Sequence, residues 1–172
     1  MAKKKGSKLA MLLAAISTLL GLVALLLIFA PAIGVKDQDA TYTGLQVAFG
    51  YTEKSKLGLE LEIFKFSFMN FLPYLLALVG ILFSVLAVLG KLGKLAPLIA
   101  AACYLAAGVF FFCTLAFCVL GDDINGLLGL GSLLAGKDGN AKDFLTLGAG
   151  AIVAGMLSIL AALTSAAALL KK

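Results

Sequence analysis

The 172-residue chain is 62% hydrophobic and only 13% charged, with a net charge of +5 and no histidine. Soluble domains contain about 45–50% apolar residues, so this composition excludes an ordinary soluble protein and indicates a membrane protein. The basic charge does not indicate a nucleic-acid partner, because the lysines are split among separate segments, without arginine or interleaved aromatic residues.

Long uncharged, apolar runs dominate the chain. Each reaches the roughly 20 residues that a helix needs to cross a hydrocarbon core about 30 Å thick. The sequence therefore predicts an all-α membrane fold, a single domain with a bundle of four transmembrane helices. The predicted spans cover residues 9–30, 70–90, 95–120 and 144–170, joined by an outer loop 31–69, an inner turn 91–94 and an outer loop 121–143.

The first predicted span follows the lysines at positions 3 to 5 and ends near Pro31, whose ring and missing N–H terminate helices. A secretory signal peptide is the alternative interpretation of this segment. The run 9–30 is longer than the about 7–15 apolar residues of a signal sequence, which favours a helix that is retained in the mature protein.

The first outer loop changes from a helical to an alternating apolar pattern, which predicts two strands and a small antiparallel β-hairpin. A phase slip at Ile63 and Phe64 predicts a bulge or the turn into the second span. An isolated hairpin is marginal in water and needs further cover. The hairpin is the candidate interaction surface, and a lid that packs on the bundle is the alternative. Its apolar residues are Leu45, Val47, Phe49, Tyr51, Leu57, Leu59, Leu61 and Ile63.

Small residues in the spans indicate close helix packing. Gly80 and Ser84 lie four residues apart in the second span, which the tight turn 91–94 makes an antiparallel neighbour of the third. In the fourth span, the small residues Gly150, Ala154 and Gly155 likewise allow close approach of a neighbouring helix. Cysteines occur only in the third apolar run, at 103, 113 and 118, and are interpreted as small packing residues.

The second outer loop contains an uncharged stretch, Ile124 to Gly136, that is too short to span. It is predicted to lie at the interface or against the hairpin, and a re-entrant pore loop is the alternative. Asp122 and Asp123 suit the start of a helix or turn, with cation binding as the alternative.

The acidic residues fix the predicted topology. All nine lie in the two outer loops with six lysines, which gives 6 − 9 = −3, while the other polar segments hold eight lysines and no acid, or +8. The positive-inside rule places the lysine-only side, and with it both termini, in the cytoplasm and makes the hairpin extracellular.

The sequence lacks charged residues in its predicted spans and also lacks catalytic and metal-binding motifs. The predicted spans contain no ionisable Asp, Glu, Lys, Arg or His, which disfavours an ion-coupled transporter. No nucleophile motif, phosphate loop or metal-ligand spacing occurs. The sequence predicts a protein that is not an enzyme and has no catalytic residue, metal site or cofactor.

The topology resembles that of the claudin and peripheral myelin protein group of tetraspan proteins over the whole chain. That group's first loop bears a Gly-Leu-Trp motif followed by two cysteines. Here Thr43-Gly44-Leu45-Gln46 has the Gly-Leu but neither the tryptophan nor the cysteines, so the resemblance implies topology and not paracellular sealing. The segment from Tyr42 to Tyr51 is also similar to those of small four-span proteins of Gram-positive-type bacteria, which implies a bacterial cytoplasmic (plasma) membrane.

The sequence thus predicts a structural or interaction protein in the lipid bilayer, whose outer hairpin mediates self-association or binds a membrane-protein partner. A small pore or transport component is the first alternative. A binder of lipid or peptide in a groove between helices is the second.

Overall fold

The structure is a computed structural model that describes residues 2–36, 39–54, 60–126 and 141–171. As predicted, four of its helices are long and apolar enough to cross a membrane. The helices in chain order are α1 (Ala2–Leu26), α2 (Gly44–Phe49), α3 (Phe68–Val88), α4 (Leu95–Phe112), α5 (Thr114–Phe117) and α6 (Ala149–Leu170). Two 3-10 turns, Leu27–Phe29 and Ala141–Phe144, follow α1 and precede the last strand, and residues 122–126 are also helical.

Contacts divide the chain into two compact units. The helical unit consists of Met1–Leu27, Leu72–Phe111 and Val153–Lys172. The sheet unit consists of Ile28–Phe71 and Phe112–Ile152. This division separates the charges: the helical unit has eight lysines and no acid, or +8, and the sheet unit has six lysines and nine acids, or 6 − 9 = −3.

One end of the helical unit is closed by small residues. Four buried alanines, one from each long helix, pack together there: Ala14, Ala87, Ala96 and Ala168. Each of them is within six residues of a lysine along the chain. The lysine-bearing ends of all four helices therefore meet at one end of this unit, named here the lysine end.

A buried hydroxyl network links the four helices beyond the alanine layer. The Ser17 Oγ lies 3.3 Å from the Ser84 Oγ and 2.6 Å from the Ser165 Oγ, and it donates to the Ala161 carbonyl at 3.0 Å. The Ser84 Oγ in turn donates to the Tyr104 hydroxyl at 3.4 Å. Hydrogen bonds between helices in an apolar medium contribute about 0.6–1 kcal/mol each. The network therefore stabilises one register of the helices.

The Tyr104 ring fills the space between two glycines. A Cβ atom on Gly80 would lie 2.8 Å from the ring Cε1, and a Cβ atom on Gly21 would overlap the Tyr104 hydroxyl. The side chain of Tyr104 is fully buried. Glycine at these two positions is therefore required by the close approach of the ring, which neither helix alone reveals.

The predicted small packing residues lie in both units. Gly80, Ser84, Ala154 and Gly155 are buried in the helical unit, where the Gly155 carbonyl oxygen would lie 3.2 Å from a Cβ on Gly108. Gly150 is buried in the sheet unit, where a Cβ would lie 2.6 Å from the Pro31 carbonyl oxygen. These positions accommodate close backbone approach.

The sheet unit contains two small antiparallel sheets. The strands are β1 (Pro31–Val35), β2 (Thr41–Thr43), β3 (Tyr51–Lys54), β4 (Glu60–Phe64) and β5 (Leu145–Leu147). The first sheet has the strand order β2-β1-β5, with Ile33 of β1 opposite Tyr42 on one side and Leu147 on the other. The second sheet pairs β3 with β4.

The prediction of a strand that runs from Leu45 to Tyr51 is wrong for Leu45, Val47 and Phe49, because the chain forms α2 there and only Tyr51 lies in a strand. The Thr43 Oγ1 accepts from the Gln46 N–H at 3.3 Å, and the Gln46 Oε1 accepts from the Thr43 N–H at 2.8 Å. This reciprocal capping box begins a helix. Gly50, at φ = 92°, ends it. The apolar residues that alternate along this stretch also fit a helical turn, and the local cap decides between the two.

The predicted hairpin forms further along the chain, between β3 and β4. Tyr51 lies opposite Phe64 and Thr52 opposite Glu62, so Ile63 is the extra residue of a bulge, as the phase slip predicts. The chain also supplies the expected cover: Phe64 bridges to Leu120, and the Gly121 N–H donates to the Ile63 carbonyl at 3.0 Å. Leu120 and Gly121 thus complete the hairpin.

Two helices are shorter than their apolar runs predict. The run 95–120 is helical to Phe112, and after Cys113 the chain forms α5 and then reaches the hairpin through Leu120. The run 144–170 contributes β5 before α6 begins at Ala149. An apolar end of each run pairs with a strand instead of extending the helix. Of the predicted interfacial stretch 124–136, residues 127–136 lie outside the described residues.

Candidate interaction surface of the sheet unit

The sheet unit has a hydrophobic core of its own. Buried residues from three strands, from α2 and from the segment that follows α5 form it: Ile33, Val47, Ile63, Phe64, Cys118, Leu120 and Leu145. The rings of Tyr42 and Phe64 meet edge to face at 5.0 Å between centroids, a geometry that stabilises aromatic pairs. The unit therefore buries apolar surface independently of the spans.

This core buries two of the eight predicted interaction residues and partly covers two more. Val47 and Ile63 are 1% and 7% exposed and belong to the core. Tyr51 and Leu61 pack against it and are half-buried. Leu57 and Leu59 lie outside the described residues.

The remaining predicted residues, Leu45 and Phe49, lie in an exposed aromatic patch. They are four residues apart in α2 and so share one face of it. The Phe49 ring lies 6.3 Å from that of Phe66 and 5.2 Å from that of Phe71, between centroids. Phe49 is 50% and Phe66 56% exposed. The name aromatic patch is used below for Leu45, Phe49, Phe66 and Phe71.

A polar scaffold beneath the patch fixes its shape. The Ser67 N–H donates to the Ala48 carbonyl at 2.9 Å, and the Ser67 Oγ donates to the Phe117 carbonyl at 2.7 Å. The buried Asn70 amide, oriented to satisfy both its ends, donates to the Thr114 carbonyl at 3.2 Å and accepts from the Cys118 N–H at 3.3 Å. These bonds tie α2, the start of α3 and α5 together, so the patch is preorganised. Sequence analysis missed Phe66 and Phe71 because only the tertiary contact brings them to α2.

Strand β3 adds a second accessible feature. It pairs with β4 on one side and forms the margin of its sheet among the described residues. The strand is short and ends in the exposed Lys54–Glu60 ion pair, 3.0 Å long. Short, charged edge strands resist uncontrolled pairing, so β3 is a less favourable contact than the patch.

The paired aspartates of the second outer loop hold the hairpin. Asp122 forms a 2.6 Å ion pair with the Lys65 ammonium, and the Asp123 Oδ2 accepts from the Glu62 N–H at 3.2 Å. Among the residues that the structure describes, no three His, Cys, Asp or Glu side chains form a group that could hold a metal ion. The sequence pattern predicts a turn or helix start at these carboxylates but does not indicate their contacts with β4 and Lys65.

A cavity of about 290 Å³ lies against the same loop, lined by Cys118, Val119, Leu120, Asn125 and Lys142. Burial raises the pKa of the Cys118 thiol, and the nearby Lys142 charge offsets only part of this. Because the thiolate and not the thiol is the nucleophile, this shift makes Cys118 less reactive than an exposed cysteine. The cavity therefore offers poor nucleophilic chemistry.

The sheet unit is expected to lose stability at alkaline pH. Burial, and then the Glu53 charge, raises the pKa of Tyr42 above 10.0, and the hydrogen bond to Asp122 raises the pKa of Lys65 above 10.5. The stability that comes from a raised folded-state pKa is fully present below the pKa of the unfolded state, and it is lost as the pH rises through the pKa of the folded state.

We expect a constant melting temperature from pH 7 to 9 and a fall above about pH 10. Circular dichroism would detect this fall, and Tyr42→Phe should reduce it. An equal fall in that variant would contradict the assignment to Tyr42.

Comparison with known proteins adds no identification. No protein-family model, no curated protein and no solved structure matches this chain. The function therefore has to be inferred from the geometry of the two units.

Proposed function

We propose that this chain is a non-enzymatic four-span membrane protein whose sheet unit mediates self-association or binds a membrane-protein partner on the outer face of the membrane. The observation that carries the proposal is the exposed aromatic patch on a unit that already has its own buried core. Side chains that the core does not need remain half exposed on a preorganised surface.

The charge distribution supports the orientation. The lysine end of the helical unit has no acidic counterpart in that unit, whereas all nine acids belong to the sheet unit. The positive-inside rule then puts the lysine end and both termini in the cytoplasm. A plasma membrane, in particular a bacterial cytoplasmic membrane, is the proposed location.

The composition of the patch supports a binding role. Aromatic side chains are enriched in the centres of protein interfaces, where they bury a large area with few rotatable bonds. Phe49 and Phe66 present such rings. Lys65, which is paired with Asp122, directly precedes Phe66 in the chain. An apolar centre beside charged groups is the usual arrangement of an interface.

The interior of the helical unit favours a packed bundle over the alternative of a pore. The Tyr104 ring occupies the space between Gly21 and Gly80. The hydroxyls of Ser17, Ser84 and Ser165 form hydrogen bonds to one another and to the Tyr104 hydroxyl, so they are not available to line a polar pore. Side chains that satisfy one another in this way support a structural role for the bundle.

Cysteine crosslinking in native membranes tests the proposal. Phe49→Cys would be introduced after Cys103, Cys113 and Cys118 are replaced by alanine, and a short bifunctional maleimide would be added to membranes. We expect a crosslinked species, either twice the monomer mass or larger by the mass of a partner. Phe144→Cys is the matched control, because Phe144 is 42% exposed in the same unit but has no described ring contact with the patch.

Two results would contradict this role. A strictly monomeric Phe49→Cys protein would leave the aromatic patch as a lipid-facing or merely structural surface. Equal crosslinking at positions 49 and 144 would indicate random collision. Mass spectrometry of any adduct distinguishes a second copy from a different protein.

A further inference from the structure

The lysine end of the helical unit combines positive charge with exposed apolar side chains. Packing of the four alanines brings the lysine-bearing segments together. Four lysines are exposed there: Lys8, Lys91, Lys94 and Lys171. The unit's sequence contains no Asp or Glu side chain that could neutralise them.

Leucines alternate with these lysines. Leu89, Leu95 and Leu170 are 62%, 59% and 83% exposed. The turn between α3 and α4 has positive φ at Gly90, Leu92 and Gly93, with values of 71°, 59° and 53°. A non-glycine residue such as Leu92 adopts this conformation only at a cost. This tight turn carries the ammonium groups of Lys91 and Lys94 close in sequence to the exposed side chains of Leu89 and Leu95.

We propose that the lysine end binds the phosphate headgroups of anionic phospholipids in the adjoining leaflet. This inference rests on the membrane placement given under the proposed function. Lysine stems lie along acyl chains while their ammonium groups reach the headgroups, and each lysine near an anionic surface is attracted to it. The exposed leucines favour a lipid over a free phosphate ion or a nucleic acid, because only the lipid also provides an apolar phase.

Fluorescence quenching in vesicles tests this inference. The chain contains no tryptophan, so Leu89→Trp provides a single reporter at the lysine end. The full-length protein would be reconstituted into vesicles of phosphatidylcholine with brominated phosphatidylglycerol or brominated phosphatidylcholine. Stronger quenching by the brominated anionic lipid at equal mole fraction measures its preference for the lysine end.

We expect the anionic lipid to be preferred, and Lys91→Gln with Lys94→Gln to reduce its relative binding constant about thirtyfold. Raised salt should weaken the preference, since it screens exposed charges. The matched control is Lys36→Gln with Lys54→Gln, which removes the same charge from the sheet unit and should leave the preference unchanged. Equal quenching of each variant by brominated phosphatidylcholine would confirm that it is inserted like the parent protein.

Three results would overturn the inference. The first is equal quenching by the two brominated lipids in the parent protein. The second is an unchanged preference in the Lys91→Gln, Lys94→Gln variant, and the third is loss of the preference on adding inorganic phosphate at constant ionic strength. A tryptophan that neither lipid quenches would instead refute the membrane placement itself, which separates the two failures.

Discussion

Replacing Gly121 by alanine is expected to destabilise the sheet unit by about 3 kcal/mol, at the upper end of overpacking costs. A Cβ atom at this position would overlap the carbonyl oxygen of Glu62 and lie 2.6 Å from the carbonyl carbon. These atoms are backbone and cannot rotate away. The Gly121 N–H also donates to the Ile63 carbonyl at 3.0 Å, so any shift that relieves the overlap weakens the cover of the hairpin.

Hydrogen exchange with mass spectrometry would measure this effect locally. We expect amides of the segment 60–65 to exchange roughly a hundredfold faster in Gly121→Ala, because exchange through opening reports the local free energy. Gly126→Ala is the matched control, since a Cβ there meets nothing within 4 Å. Exchange at 60–65 that is unchanged in Gly121→Ala would contradict the close packing of the second outer loop against β4.

Truncation of Tyr104 to alanine is expected to destabilise the helical unit by about 3–5 kcal/mol, the usual cost of removing a large buried ring. The ring occupies a fully buried position between Gly21 and Gly80. Gly80→Ala alone should cost about 1–3 kcal/mol, because the new methyl group would press on the ring. In the Tyr104→Ala background the same methyl group enters vacated space and should cost less.

Thermal unfolding in detergent, followed by circular dichroism, would give the four stabilities of this double-mutant cycle. A coupling energy of about 1–2 kcal/mol is expected for residues in contact. Leu82→Ala serves as the control in place of Gly80→Ala. Leu82 lies in α3, the helix of Gly80, but its side chain is exposed, so Leu82→Ala should combine additively with Tyr104→Ala. Additivity of Gly80→Ala with Tyr104→Ala would show that the ring and the glycine do not touch.

The long helices were predictable because their apolar runs exceed anything a soluble fold requires. The hairpin was predictable in part: alternation and the phase slip at Ile63 identified β4 and its bulge. For α2, the alternating pattern predicted the wrong structure. Leu45 and Phe49 fit both a strand and a helical turn, and the box formed by Thr43 and Gln46 was the local signal that distinguishes them.

Other features depend on contacts between segments far apart in the sequence. Pairing of Ile33 with Leu147 creates the three-stranded sheet, and neither strand is long enough to be recognised from its own residues. The aromatic patch is similar, because Phe66 and Phe71 reach Phe49 only after α2 has formed. Of the predicted interaction residues, burial removed Val47 and Ile63 from the surface, since the unit needs them for its core.

Accessibility of single cysteines in intact cells tests the proposed membrane arrangement most directly. After Cys103, Cys113 and Cys118 are replaced by alanine, Thr52→Cys reports on the sheet unit and Leu92→Cys on the lysine end, both at exposed positions. A membrane-impermeant maleimide should label position 52 in intact cells and position 92 only after permeabilisation. Labelling of position 92 with protection of position 52 would contradict the proposed orientation, and labelling of both in intact cells would contradict the placement of these two positions on opposite sides of the membrane.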